Sequence, residues 1–178
     1  GGTTPTLTIG DAGTEDAKIV FDGNAQDWHV GLDDSTDDFV IGLGSALGTT
    51  SHIVIDEAGA VTKPLQPCFY AHEGSGQAIT HATVTTLTLG SERFDLNGDF
   101  ASNTFTAPVT GKYYFTGEYT FDAGAETDID FEYVSLNFYA SNVQNGYVKR
   151  MRTNVYDQAE IINSAIIDMD ASDTCYCS

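Results

Sequence analysis

An all-β fold is what this sequence predicts, and three observations carry the prediction. Thr, Val, Ile, Tyr and Phe cluster in short runs interrupted by Gly, Asn and Asp, the pattern of many short strands joined by tight turns. No stretch keeps the apolar period of a helix. Hydrophobic residues make up 41% of the 178 and aromatics 11%, enough for a packed core despite a net charge of −19, so the charge does not imply disorder.

Taken in order, the elements fall into two different objects, residues 1–63 and residues 64–178. The first holds no Tyr, one Trp and two Phe, with two bases against eleven acids. Its short apolar runs recur at Leu7-Thr8-Ile9, Ile19-Val20-Phe21, Trp28-His29-Val30-Gly31-Leu32, Phe39-Val40-Ile41 and Ile53-Val54-Ile55. Polar turns such as Asp22-Gly23-Asn24, Asp33-Asp34-Ser35 and Glu57-Ala58-Gly59 separate them. Five small strands with so few large side chains enclose little apolar volume in one chain. Three copies wound round one axis enclose more, because each contributes a side of a shared core. The segment therefore reads as a trimeric β-prism or β-spiral-like shaft, in the style of a viral fibre shaft or neck, with Trp28 in the shared core; a small monomeric β-meander is the alternative. Pro64 and Pro67 bracket a short extended stretch that reads as a linker.

The second part holds all nine Tyr and eight of the ten Phe, with five bases against fifteen acids. Pro67-Cys68-Phe69-Tyr70-Ala71 and the alternating run Thr83–Gly90 read as strands, followed by Phe94-Asp95 and Phe100. Phe105-Thr106-Ala107-Pro108-Val109-Thr110-Gly111-Lys112-Tyr113-Tyr114-Phe115 reads as strand, corner and strand: Ala107-Pro108 breaks the ladder, Gly111 turns, and Tyr113 and Phe115 share a face. Phe131–Ala140 is a long two-faced strand, Tyr147–Met151 pairs with it across Asn145-Gly146, and Ile161–Tyr176 supplies two more strands around the turn Met169–Thr174.

The pattern F-x-A-P-x-x-G-x-Y-x-F in Phe105–Phe115 resembles the core motif of the C1q/TNF-like jelly-roll family. The aromatic spacing upstream of Phe105 departs from the animal consensus and points to a viral or bacterial branch. What the resemblance implies is a jelly-roll sandwich head over residues 64–178 that assembles as a compact homotrimer. It also implies a further strand, carrying an aromatic and a Gly, beyond Ser178; the sequence then reads as a fragment, or as one whose last strand is missing or replaced. The interface candidates are Tyr113, Tyr119, Tyr133 and Tyr139, and the alternative is that these rings fill the protomer's own core.

Chemistry is sparse. His29, His52, His72 and His81 lack metal-ligand spacing, and Cys68, His72 and Glu73 are strand neighbours that do not make a nucleophilic set unaided. No enzymatic activity and no required cofactor are expected. Asp33, Asp34, Asp37 and Asp38 supply hard oxygens suited to Ca²⁺, though a solvated turn is the default without an EF-hand Gly and Glu. Cys68, Cys175 and Cys177 do not form a disulfide framework, and at least one thiol is expected free. With only seven bases against 26 acids, nucleic acid is excluded as a partner. No apolar run approaches the roughly 20 residues of a membrane-spanning helix.

These readings converge on a non-enzymatic trimeric attachment protein, the distal part of a phage tail fibre, binding a cell-surface carbohydrate or protein receptor from a virion or an extracellular location. Three weak sites on one trimer gain avidity. Receptor contacts are expected from two loops, Ala123–Asp128 and Ser141–Gly146, with Asp122, Glu126, Asp128, Asn142 and Asn145 as candidates. A purely structural virion trimer and a secreted bacterial adhesin are the alternatives.

Overall fold

The structure is a computed structural model that describes residues 4–122, 133–143, 147–152 (backbone only) and 158–178. Among them there are strands, turns and bends but no helix, and no helix is long and apolar enough to cross a membrane. The chain divides into two compact units, 1–66 and 67–178.

The N-terminal unit is one five-stranded antiparallel meander in chain order, β1 (Ala17–Phe21), β2 (Trp28–Asp33), β3 (Asp38–Leu43), β4 (Ser51–Ile55) and β5 (Val61–Thr62). Four of the five apolar runs become strands; Leu7 and Ile9 lie outside any strand and are exposed. Register sorts the side chains sharply. Ile19 pairs with Val30 and Phe21 with Trp28; Val30 also pairs with Ile41 and Leu32 with Phe39; Ile41 then meets Ile53, and Phe39 meets Ile55. Because strand side chains alternate, all of these share one face of the sheet. On the other face His29, Gly31, Val40 and Gly42 meet across the ladders, and His29 and Val40 are buried. His29 fits there because Gly42 has no side chain: a Cβ on Gly42 would stand 2.6 Å from His29 Nε2 and 2.5 Å from the Thr50 carbonyl. The ring Nδ1–H donates to the Gly44 carbonyl at 2.9 Å.

The C-terminal unit is a sandwich. One layer is the sheet β12-β11-β14-β9-β8, built from β8 (Phe100–Ala101), β9 (Thr104–Thr106), β11 (Tyr133–Ala140), β12 (Tyr147–Arg152) and β14 (Thr174–Cys177). Facing it are two separate pairs, β6 (Phe69–His72) with β7 (Ser91–Asp95), and β10 (Gly111–Asp122) with β13 (Gln158–Met169). Aromatic rings bridge the layers: Phe69 stacks on Phe100 at 4.5 Å, and Phe115 meets Phe105 at 5.4 Å and Phe138 at 5.9 Å. Ile167 and Met169 complete this cluster, while Leu87, Val134, Leu136, Ala159 and Ile161 form a second. Asn163 is buried between the layers and donates from Nδ2 to the Leu136 carbonyl at 3.0 Å.

The Ala-Pro corner does what its residue types require. Ala107 is 1% exposed; its N–H donates to the Asp173 carbonyl and its own carbonyl accepts from Ser172, both at 2.8 Å. The β9–β10 corner is thus tied to the β13–β14 turn. Ser172 takes a positive φ of 76° there, and Asp173 holds the turn by accepting from the Asp170 N–H at 2.8 Å.

Two expectations need correction. Thr83–Gly90 is not a strand. Its backbone groups are met individually instead: Thr86 O and Thr88 N by the Gln77 side-chain amide, Leu87 N by the Cys177 carbonyl and Leu89 N by Asn103 Oδ1. Leu87 and Leu89 turn into the core and Val84 is left 68% exposed, so alternation reports burial here without a ladder. The second correction concerns the β11–β12 connection. Phe138 stands opposite Tyr147, while Ala140 pairs with Cys175 of β14, so the link is longer than a two-residue turn. Asn145 and Gly146 themselves lie outside the described residues.

Candidate recognition surfaces

Strand alternation decides what β10 offers to a partner. From Tyr113 the odd positions point inward and the even ones outward. Tyr113 packs on Phe105 at 5.2 Å and donates its hydroxyl to the Val109 carbonyl at 2.6 Å. Tyr119 sits against the second core cluster beside Phe121. Its hydroxyl pKa is raised, first by burial and then by the Glu73 carboxylate, with the Gln77 backbone acting the other way. These two tyrosines therefore serve the protomer's own core, the alternative the sequence left open. Tyr133 is 54% exposed, and Tyr139 is half-buried and stacked on Tyr176 at 5.4 Å.

The outward face of β10 and β13 carries apolar residues that the sequence reading did not single out. Tyr114 stands opposite Ile166, and both are about two-thirds exposed, at 66% and 64%. Ile162 lies further along the same face. The signal was present in the sequence: once Phe115 faces inward, Tyr114 must face outward, and the run Ala165-Ile166-Ile167 must place one isoleucine on each side.

In the N-terminal unit the apolar face is the larger feature. Phe21 and Val61 are each 61% exposed, Leu32 and Phe39 each 44%, Ile19 42% and Trp28 39%. Trp28 rests against His52 at 4.8 Å and stands between Phe21 and Leu43 in the ladder. A contiguous apolar surface of this kind is the type of surface that proteins use for interaction.

The acidic run Asp33, Asp34, Asp37 and Asp38 forms the β2–β3 hairpin turn. Asp33 is 8% exposed and accepts at Oδ1 from the Ser35 hydroxyl at 2.6 Å and the Ser35 N–H at 3.1 Å; Asp37 takes a φ of 58°. Among the described residues no three His, Cys, Asp or Glu side chains converge as metal ligands. Asp95, next to the aromatic motif, is likewise structural: its carboxylate gathers the N–H groups of Gly98, Asp99 and Phe100.

Of the receptor-loop candidates, Asp122 accepts from Gln158 Nε2 at 3.0 Å and Asn142 donates to the Asp168 carbonyl at 2.7 Å. Glu126, Asp128 and Asn145 lie outside the described residues. Cys68 is exposed, whereas Cys175 and Cys177 are pushed up to about 12 by burial, Cys175 also by its neighbour Cys177. His72 Nδ1 donates to the Glu73 carbonyl at 2.9 Å, its own chain neighbour, rather than engaging a thiol.

No family model matches the sequence, and no curated protein does. Among solved structures the chain is similar to the globular domain of a zebrafish complement 1qA protein, at 18% identity and a TM-score of 0.46, over 63% of this chain and 78% of that one.

Proposed function

We propose that this chain is a non-enzymatic, homotrimeric attachment protein, the distal part of a phage tail fibre, with residues 1–63 as shaft and the C-terminal unit as a head that binds a cell-surface carbohydrate or protein receptor. The observation that supports it is the apolar face of the N-terminal sheet. Rows from four strands present Ile, Val, Leu, Phe and Trp side chains to one side. Burying such a face stabilises by about 25 cal/mol per Å² of apolar surface, and three sheets facing one axis bury it symmetrically. The exposed Tyr114–Ile166 strip gives the head a surface of its own for the same assembly.

The polar candidates favour a second reading, a purely structural virion trimer, to one specific extent: Asn142 and Asp122 already hydrogen-bond to their own chain, which leaves less of each for a receptor. Light scattering on the purified chain, with and without Ca²⁺, tests the assembly. A mass near three times 19.1 kDa is expected. A folded monomer or a dimer in both buffers removes the trimeric shaft. Glycan-array or cell binding by the same trimer then separates attachment from a structural role.

A further inference from the structure

The two outward sides of the head differ in charge. The strands of the sheet β12-β11-β14-β9-β8 contain no Asp or Glu, in a chain that has 26, and β12 alone holds three of its seven bases, Lys149, Arg150 and Arg152. In the facing layer the outward positions of β10 and β13 carry Glu118, Asp122, Glu160 and Asp168 against the single base Lys112.

Register builds the acid-free side row by row. Val134, Leu136 and Phe138 of β11 enter the core, so Tyr133, Ser135 and Tyr139 stand on the other side of the sheet. Backbone pairing sets Arg152 opposite Tyr133 and Arg150 opposite Ser135, which puts both arginine positions on that same side. At the far end of β11, Tyr139 pairs with Tyr176 of β14, and Tyr176 with Thr104 of β9. The rings of Tyr139 and Tyr176 are stacked, 5.4 Å apart and 17° from parallel. Four residues of strand, about 13 Å, separate the Arg150 row from this stack, the span of a short oligosaccharide.

Two guanidinium positions one strand period apart suit carboxylates, which accept from both prongs of an arginine. Flat rings with hydroxyls beside them suit a sugar, which offers an apolar face and a polar rim. The large aliphatic side chains that a protein partner would bury lie elsewhere, on the N-terminal meander and the Tyr114–Ile166 strip.

We propose that this side of the sheet binds an acidic polysaccharide, with Arg150 and Arg152 taking its carboxylates and the Tyr139–Tyr176 stack a sugar ring. The inference rests on the attachment reading and names its receptor class, with the contact on a sheet face rather than on loops.

The test is calorimetric titration of the full chain with polygalacturonate and with polysialic acid, beside neutral dextran and poly-glutamate. At least one acidic polysaccharide is expected to bind, dextran not at all, and poly-glutamate about tenfold more weakly because it has charges but no sugar rings. Arg150→Gln with Arg152→Gln is expected to weaken polysaccharide binding about tenfold or more. Lys18→Gln with Lys112→Gln removes the same number of charges elsewhere and is expected to change it by less than about twofold. Should the arginine variant fail to fold, a chloride series on the unaltered chain decides: affinity is expected to fall with salt, and an affinity indifferent to salt overturns the proposal. No heat from either acidic polysaccharide overturns it, as does poly-glutamate binding equally well. Self-association that the arginine variant abolishes also overturns it, by assigning the face to the acids of a second copy. Cell or dextran binding that survives loss of both arginines overturns this proposal alone, whereas a trimer that binds no cell and no glycan removes the attachment reading as well.

Discussion

The two units use strands to opposite ends. In the N-terminal meander every pairing joins sequence neighbours, the sheet is a single layer, and Val40 alone of its apolar side chains is fully buried. In the head the pairings reach far along the chain, as Gly111 does to Met169, and two layers enclose Phe105, Phe138, Ile167 and Met169 at 2% exposure or less. The head encloses a core within one protomer and leaves the Tyr114, Ile162 and Ile166 strip of β10 and β13 outside. The meander presents its apolar residues to the outside. The difference teaches that strands of alternating pattern can close a core in one unit and leave an apolar face open in the other, the face that the proposed trimer covers.

The largest effect that sharpens this contrast is on association. Ile41→Asp puts a charge in the centre of the meander's apolar face, and it is expected to convert a particle of three chains to single chains by light scattering while leaving the head's melting transition in place. Phe138→Ala acts oppositely: it is expected to destabilise the head by about 3–5 kcal/mol in denaturant melts, independent of protein concentration.

Gly42→Val is expected to have a smaller effect than either. The new side chain meets the Thr50 carbonyl and His29, and an N-terminal loss of about 1–3 kcal/mol is expected by the same melts. A pH series separates the units again. The head thiols of Cys175 and Cys177 ionise at about 12 when folded, above the ordinary 9.0 of an unfolded thiol, so the folded head holds its protons longer. Their contribution is complete below pH 9 and is lost as pH rises from there towards 12. At mildly alkaline pH, alkylation followed by mass spectrometry is expected to label exposed Cys68 well before the other two. Smallest is Lys112→Ala, which removes a 2.7 Å pair to Asp168 whose side chains are 68% and 71% exposed; a change below about 0.5 kcal/mol is expected.

Much of the architecture was legible in the residues. Four apolar runs of the first sixty residues became strands, and the Ala107-Pro108 corner and Gly111 restart fell where those residue types demand. That Thr83–Gly90 forms no strand was not legible, because alternation marks which side chains are buried and says nothing about what meets the backbone. The pairing of Phe138 with Tyr147 was hidden for a related reason: an Asn-Gly pair signals a turn locally, but β14 competes for the end of β11 from far along the chain. Candidate surface residues fared worse. Tyr113 and Tyr119 were singled out by ring chemistry, yet the parity of the strand placed Tyr114 outside.

Ala107 also sets an order of events. Both of its main-chain partners, Ser172 and Asp173, are made by the ribosome long after it, and contacts of such separation close slowly because loop-closure entropy must be met first. The meander, all of whose ladders are local, is complete as soon as Thr62 has emerged. A nascent chain therefore carries a finished apolar sheet while its head is still open. In the trimer proposed above, the meander is the first surface a neighbouring chain meets, and the Ala107 clasp closes afterwards.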